Sequence, residues 1–288
     1  MLKTILKNIL WGFKLLVIAL LLAVFLRVFC FSSYKIPSYS MLPAITGGDY
    51  ILVNKWILGP RLYKSFDFSD GKNVETRRLK GLRNVKRNDV LVFNFPYKGD
   101  WETIRFDSHV FYVKRCVAIP GDTFYIEKGI YKVKNIPDTL GCYQNQIDNW
   151  ARFQKTGSDP VDETFPFDDA FHWTVLDFGP LYIPAKGDRL TIDTLNIKLY
   201  KNLITYETAK NIVLKDGRVY LGEEALTAYT FQKNYYFMTG DYVFDSRDSR
   251  YWGMLPEEYI VGKAAIIWKS ENPETKKFNW KRFLKRIQ

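Results

Sequence analysis

The chain has 288 residues, of which 47% are hydrophobic and 17% aromatic, so it can bury a substantial core and is too apolar for a disordered chain. Its net charge of +11 sits at the two ends: residues 1–35 carry five bases and no acid, and residues 269–288 carry seven bases against Glu271 and Glu274. A nearly neutral body with basic ends suits contact with anionic lipid and argues against a nucleic-acid-binding face.

The first predicted element is an apolar stretch, residues 11–31, long enough to cross a bilayer, which takes about 20 helical residues. Lys14 and Arg27 interrupt it near its ends, where their long stems reach the headgroups and leave residues 15–26 in the hydrocarbon. Lys3, Lys7 and Lys14 precede the span and only Arg27 and Lys35 follow closely, so the positive-inside bias places the N-terminus in the cytoplasm and the body outside. A cleavable signal peptide is the competing reading. Against it, Arg27-Val28-Phe29-Cys30-Phe31 offers no small residue for cleavage, and Phe29 before Cys30 does not suit a lipoprotein. The expected division is therefore an anchor over 1–31, an extracytoplasmic β-rich body over 32–268, and a basic tail over 269–288.

Beyond residue 45 a turn-then-strand phrase recurs: Gly48-Asp49-Tyr50-Ile51, Asn88-Asp89-Val90-Leu91, Gly121-Asp122-Thr123-Phe124 and Gly187-Asp188-Arg189-Leu190. Irregular spacing argues against a solenoid or propeller, and the phrases predict a mainly β fold of coiled antiparallel sheets. Residues 59–86, polar and basic, and 141–178, rich in Asp, Pro and aromatics, read as functional or mobile insertions. In the tail, Trp280, Phe283 and Leu284 among lysines and arginines predict an interfacial helix, with a solvated frayed tail as the alternative. Cys116 and Cys142 either pair or stay free, and a buried free Cys116 is the expectation.

Chemistry points to Ser40 and Lys114. Ser40 lies just past the apolar segment in Pro37-Ser38-Tyr39-Ser40-Met41-Leu42-Pro43, between prolines that restrict the backbone. A serine nucleophile needs a base, and the only imidazoles are His109 and His172. A lysine kept neutral by burial is the other solution. If residues 109–119 form a strand, Val110, Tyr112, Lys114, Cys116 and Ala118 share one face. Apolar surroundings disfavour the ammonium there and lower its pKa. The Asp241, Asp245 and Asp248 cluster lacks the ligand spacing of an EF-hand, and no His/Cys set has zinc-like spacing, so metal-independent acyl transfer without a cofactor is expected.

The nucleophile phrase resembles the corresponding box of bacterial type I signal peptidases, the leader peptidases. Further boxes follow in order: Arg87-Asn88-Asp89-Val90-Leu91-Val92-Phe93 with Pro96, then Tyr112-Val113-Lys114-Arg115-Cys116 through Pro120-Gly121-Asp122, and last Gly240-Asp241 through Ser246-Arg247-Asp248-Ser249-Arg250 and Gly253. The resemblance covers residues 10–56, 86–128 and 232–265, and departs at Tyr242, where the family usually has Asn. It implies Ser40 as nucleophile and Lys114 as general base, with Ser246 hydrogen-bonding the amine and Ser38 supporting the oxyanion. Arg115 would pair with Asp241, and Asp248 and Arg250 would hold the last box in shape.

The resemblance further implies a single-pass enzyme of the bacterial cytoplasmic membrane. It would act on signal-peptide-bearing preproteins at the bilayer surface, with no nucleic acid as partner. Two other readings are a self-cleaving Ser/Lys regulator, which the apolar span argues against, and a non-enzymatic membrane-tethered β-domain for envelope assembly. The latter leaves the joint serine and lysine boxes as coincidence.

Overall fold

A computed structural model of the chain describes residues 2–64, 76–97, 99–156 and 163–288. Parts of both expected insertions, 65–75 and 157–162, lie outside the described residues.

Helix α1 (Leu2–Phe25) runs on through a π-helical turn, Leu26–Cys30, and gives way directly to strand β1 (Phe31–Lys35). The apolar run Thr4–Cys30 has a mean hydropathy of 2.7 and buries none of itself against the protein. At about 1.5 Å per residue it reaches about 40 Å, more than the about 30 Å of a hydrocarbon core. The helix thus starts well before residue 11, and Phe31 belongs to the sheet. Lys55 fixes the junction, donating from Nζ to the Arg27 carbonyl at 2.8 Å and the Val28 carbonyl at 3.2 Å, where helix carbonyls lack partners of their own.

The body is mainly β. After β1 come β2 (Asp49–Asn54), β3 (Val90–Asn94), β4 (Phe111–Ala118), β5 (Thr123–Glu127), β6 (Ile130–Val133), β7 (Phe178–Tyr182), β8 (Tyr235–Thr239), β9 (Leu255–Pro256), β10 (Ile260–Ser270) and β11 (Lys285–Arg286). The largest sheet is antiparallel in the order β1-β2-β10-β3-β4-β8-β9, with β11 added to β10. A second sheet has the order β6-β5-β7.

Each recurrent phrase starts a strand for one local reason. The residue before the aspartate has positive φ (Gly48 89°, Asn88 67°, Gly121 92°, Gly187 94°), as a turn of that hand requires. The aspartate carboxylate then accepts the amide three residues back: Asp49 from Thr46, Asp89 from Lys86, Asp122 from Ile119 and Asp188 from Ala185, all within 2.8–2.9 Å. Side-chain closure of the turn on its own backbone is what Asp does best. Three of these carboxylates also hold a cation, Arg282 on Asp49, Arg83 and Lys263 on Asp89, and Arg87 on Asp122.

Strand β3 is buried at every residue because a core lies on each face. Leu91 and Phe93 join the larger core with Phe124, Phe178, Phe237 and Trp252, while Val90 and Val92 join a smaller one with Ile36, Met41, Ile45 and Ile51. This explains why β3 reads as a continuous apolar run rather than an alternating one.

Two expectations change here. The segment 141–178 opens with a helix, α2 (Tyr143–Thr156), and closes in β7, so its described part is not a structureless loop. The tail is neither an interfacial helix nor frayed: it forms a short 3-10 turn, Trp280–Arg282, then β11, and it buries Ile287 in the smaller core. The body therefore does not end at 268, since β10 runs to Ser270 and the tail returns to pair with it. Local composition favoured a helix, but cross-strand pairing and the Ile287 socket decide.

Arg282 anchors the return, donating from Nη2 to the Asp49 carboxylate at 2.7 Å and to the Ala44 carbonyl at 3.0 Å, with Asp49 fully buried. Arg282→Ala strands that carboxylate, a loss of about 3 kcal/mol. We expect melting of the detergent-solubilised protein to fall by roughly 6–12 °C. An unchanged melting curve would mean the tail is not part of the fold.

Candidate active site

Strand β4 carries Lys114 opposite Leu91 of β3, and Arg115 opposite Val90. The strand begins at Phe111, so His109 stays outside it, exposed beside Asp107. On the Lys114 face, Tyr112, Cys116 and Ala118 meet the larger core; on the other face Val113 meets the smaller one, while Val117, at the register shift against β8, joins the larger. Lys114 is left 5% exposed. Burial lowers its pKa from the usual 10.5 to about 8; Asp248 pulls it up and Arg250 pushes it down.

Ser40 sits in the turn that follows β1. Buried Met41 and Ile45 anchor that turn, with the Ile45 amide donating to the Met41 carbonyl at 2.9 Å. Lys114 Nζ donates to Ser40 Oγ at 2.5 Å, so the two expected catalytic groups are in direct contact. Both line a cleft of about 520 Å³ whose wall includes Tyr34, Ile36, Ser38, Tyr112 and Val113. Ser38 is exposed on that wall. Asp245 and Arg247 line its rim, a role sequence reasoning did not assign them.

The loop after β8 closes the other side. The Tyr242 amide donates to the Ser40 carbonyl at 3.0 Å, so the backbone of the serine is tied to residues 240–242 directly. Asp241 receives both arms of Arg115, Nε to Oδ1 and Nη2 to Oδ2, each at 2.6 Å. Arg115 also donates to the carbonyls of Asn88 and Gln288, both at 2.9 Å. Asp248 and Arg250 form a second, fully buried pair, Nε to Oδ1 and Nη2 to Oδ2 at 2.9 Å, and Asp248 also accepts the Gly240 amide at 2.9 Å. Burial raises the Asp248 carboxyl, but the Arg250 charge and hydrogen bonds outweigh it and hold the group below the usual range.

Ser246 differs from expectation. Its hydroxyl was expected to hydrogen-bond the amine; instead its Oγ is buried without a partner among the described residues, while the amine bonds Ser40. The reason is steric placement: Ser246 Oγ is packed against Gly240, beside the Ser40 carbonyl. Tyr242, the departure from the family pattern, is half-buried and sits 5.7 Å ring to ring from Phe244. Cys116 and Cys142 are unpaired. Among the described residues no group of three or more His, Cys, Asp or Glu side chains is arranged to hold a metal.

One contact had no signal in the sequence. Asn145, on α2 at the start of the segment 141–178, donates from Nδ2 to the Leu42 carbonyl at 2.9 Å and the Asp241 carbonyl at 2.6 Å.

Comparison with known proteins agrees on one family. The model of the family described as signal peptidase, peptidase S26, matches residues 9–149 and 181–269. The chain is 28% identical over 261 residues to a signal peptidase I of Buchnera aphidicola, covering 86% of this chain and 72% of that protein. It is 28% identical over 264 residues to that of Pseudomonas fluorescens, covering 87% and 69%. For the signal peptidase I of Aquifex aeolicus the figures are 26% over 268 residues, with 88% and 82% covered.

Gly240 is required by space rather than by backbone conformation. A Cβ there would lie 2.2 Å from Ser246 Oγ and 2.5 Å from the Ser40 carbonyl. Gly240→Ala must push the Ser40 turn away from the loop, and a misplacement near 1 Å costs on the order of 100-fold in rate. Peptide-cleavage kinetics on the folded variant check this, and wild-type kcat would show the turn is not held there.

Proposed function

The chain belongs to the signal peptidase family, peptidase S26, a serine endopeptidase that removes signal peptides, and from that premise we propose a Ser/Lys dyad acting at the bilayer surface. The observation that carries the proposal is the 2.5 Å contact between Ser40 Oγ and a Lys114 amine whose pKa burial has lowered to about 8.

In this reading the neutral Lys114 amine takes the Ser40 hydroxyl proton as Oγ attacks the scissile carbonyl. The new O–C bond forms, the carbonyl π pair moves to oxygen, and the oxyanion is met by the Ser38 hydroxyl and the Ser40 N–H. Collapse breaks the C–N bond, and Lys114 passes its proton to the leaving amine. Water, deprotonated by Lys114, then releases the acyl group and restores the hydroxyl. Arg115, Asp241, Asp248 and Arg250 touch no reacting atom and hold the loops that carry the dyad.

The membrane part of the proposal rests on position. Ser40 follows Phe31 by nine residues, the first four of them in β1, so the cleft lies within about 30 Å of the start of the sheet. The N-terminus is taken as cytoplasmic from the lysine bias, and the body as extracytoplasmic. Near β1, Trp268 Nε1 donates to Ser33 Oγ at 2.7 Å, and the tail presents Phe278, Trp280 and Phe283 with centroids 4.5–5.9 Å apart. Trp280 is 75% exposed among exposed Lys276, Lys277, Lys281 and Lys285. Aromatics ringed by lysines suit an anionic lipid surface.

Ser40→Ala and Lys114→Ala should each abolish preprotein cleavage by the solubilised enzyme while the chain stays folded. Wild-type kcat should rise with pH through about 8 and then level, because only the unprotonated amine is a base. Cleavage surviving both substitutions, or a rate flat from pH 6 to 9, removes the dyad. In anionic vesicles, Trp280→Ser with Phe283→Ser should slow cleavage of a bilayer-embedded preprotein several-fold and leave a short soluble peptide unaffected; equal rates on both substrates would detach the tail from the membrane.

A further inference from the structure

Helix α2 lies against the dyad's loops through amides rather than apolar side chains. Among its described residues the buried ones are Gln146 and Asn149. Asn145, Asn149 and Arg152 recur at spacings of four and three, which puts them on one helix face. At the far end of that face the Arg152 guanidinium lies 4.9 Å from the centre of the Phe244 ring, next to Asp245 on the cleft rim. At the near end is Asn145.

The Asn145 amide has two N–H donors, and each is spent on a backbone carbonyl from a different loop. One carbonyl is Leu42, two residues beyond Ser40; the other is Asp241, whose carboxylate holds Arg115, the neighbour of Lys114 on β4. A single side chain thus bridges the nucleophile's turn and the support of the base's strand. The turn around Ser40 is irregular backbone, and among the described residues the Ser40 carbonyl bonds the second loop through the Tyr242 amide. Asn145 supplies the second point of attachment between the two loops. Two points fix an orientation where one leaves a hinge.

We propose that Asn145 is a positioning residue for the cleavage reaction, clamping the Ser40 turn to the Asp241 loop and so setting the distance between Ser40 Oγ and Lys114 Nζ. This rests on the Ser/Lys reading above. It gives the start of the insertion a function: α2 is a strut that holds the active-site loops together.

Gln146 is the internal control. It lies one residue along, is fully buried, and makes bonds of comparable quality that stay away from the dyad: Nε2 to the Leu140 carbonyl at 2.6 Å, and Oε1 accepting the Tyr131 amide at 2.9 Å. A role for α2 confined to stability makes Gln146 matter at least as much as Asn145 in every measurement. A positioning role separates them.

The experiment compares wild type, Asn145→Ala, Asn145→Asp, Gln146→Ala and Ser40→Ala as full-length solubilised proteins. Thermal melting is recorded for each, and kcat and KM on a signal-peptide substrate are taken well below every melting temperature. We expect Asn145→Ala to lower kcat by about 10- to 100-fold with KM nearly unchanged, since the interaction positions the reacting groups rather than the substrate. Asn145→Asp keeps the size but turns donors into a carboxylate facing two carbonyl oxygens, and should be at least as slow. Gln146→Ala should melt lower than Asn145→Ala and keep near-wild-type kcat. The proposal is overturned if Asn145→Ala keeps wild-type kcat, if its loss appears in KM alone, or if Gln146→Ala loses kcat to the same extent. Ser40→Ala separates the two levels: residual wild-type cleavage there brings down the dyad reading itself, and the clamp with it.

Discussion

A primary amine held out of water against a hydroxyl is the constraint around which the rest of this fold is arranged. In the unfolded chain Lys114 keeps its proton up to about 10.5, and in the folded chain only to about 8. Between those values the unfolded state binds more protons, so folding stability rises with pH across that window, and below it the native state carries the full cost of about 3 kcal/mol. A residue that opposes folding at neutral pH fits the proposed role of Lys114 as the base. The two-sided burial of the sheet around it supplies the compensation, with β3 and β4 packed between two cores.

Nearby carboxylates would undo this by holding the amine in its charged form, and the structure keeps them occupied. Asp248 is satisfied by Arg250 and by the Gly240 amide, and Asp241 by Arg115. The two buried acids near Lys114 thus each come with a base, and in the balance on the amine Asp248 and Arg250 act in opposite directions. Asp245 is exposed on the cleft rim, where solvent screens it. The same two ion pairs hold irregular backbone in place, so the loops bearing the chemistry gain rigidity without strands of their own.

How much of this was legible in the sequence follows from the range of the interactions involved. The strands after Gly48, Asn88, Gly121 and Gly187 were readable because their cause is local: a positive-φ residue and an aspartate that closes the turn three residues back. The approach of Ser40 to Lys114 was readable through the phrases around them. The tail was misread because basic and aromatic composition says nothing of Ile287 finding a socket in the core of Ile36, Met41 and Ile51, or of Arg282 finding Asp49. Helix α2 gave no apolar period because its inward face is built from Asn145, Gln146 and Asn149. Ser246 was placed in the right loop, but its hydroxyl direction depends on packing against Gly240, which no motif encodes.

The anchor and the site are mechanically continuous. Cys30 ends the π-helical turn, Phe31 begins β1, and β1 pairs along its whole length with β2, which in turn lies on β10. Lys55, just past β2, bonds the carbonyls at the helix end, while Ile36, just past β1, enters the core that seats Met41 of the Ser40 turn. A flexible linker would let the cleft wander through a volume set by its length. Here the chain passes from helix to paired strand to the Ser40 turn with no unpaired linker between helix and sheet, so a bilayer around the helix would hold the cleft at a fixed height. Under the proposed reading, a substrate tethered in the same bilayer would search in two dimensions only, and the concentration of its scissile bond at Ser40 would be set by geometry rather than by affinity.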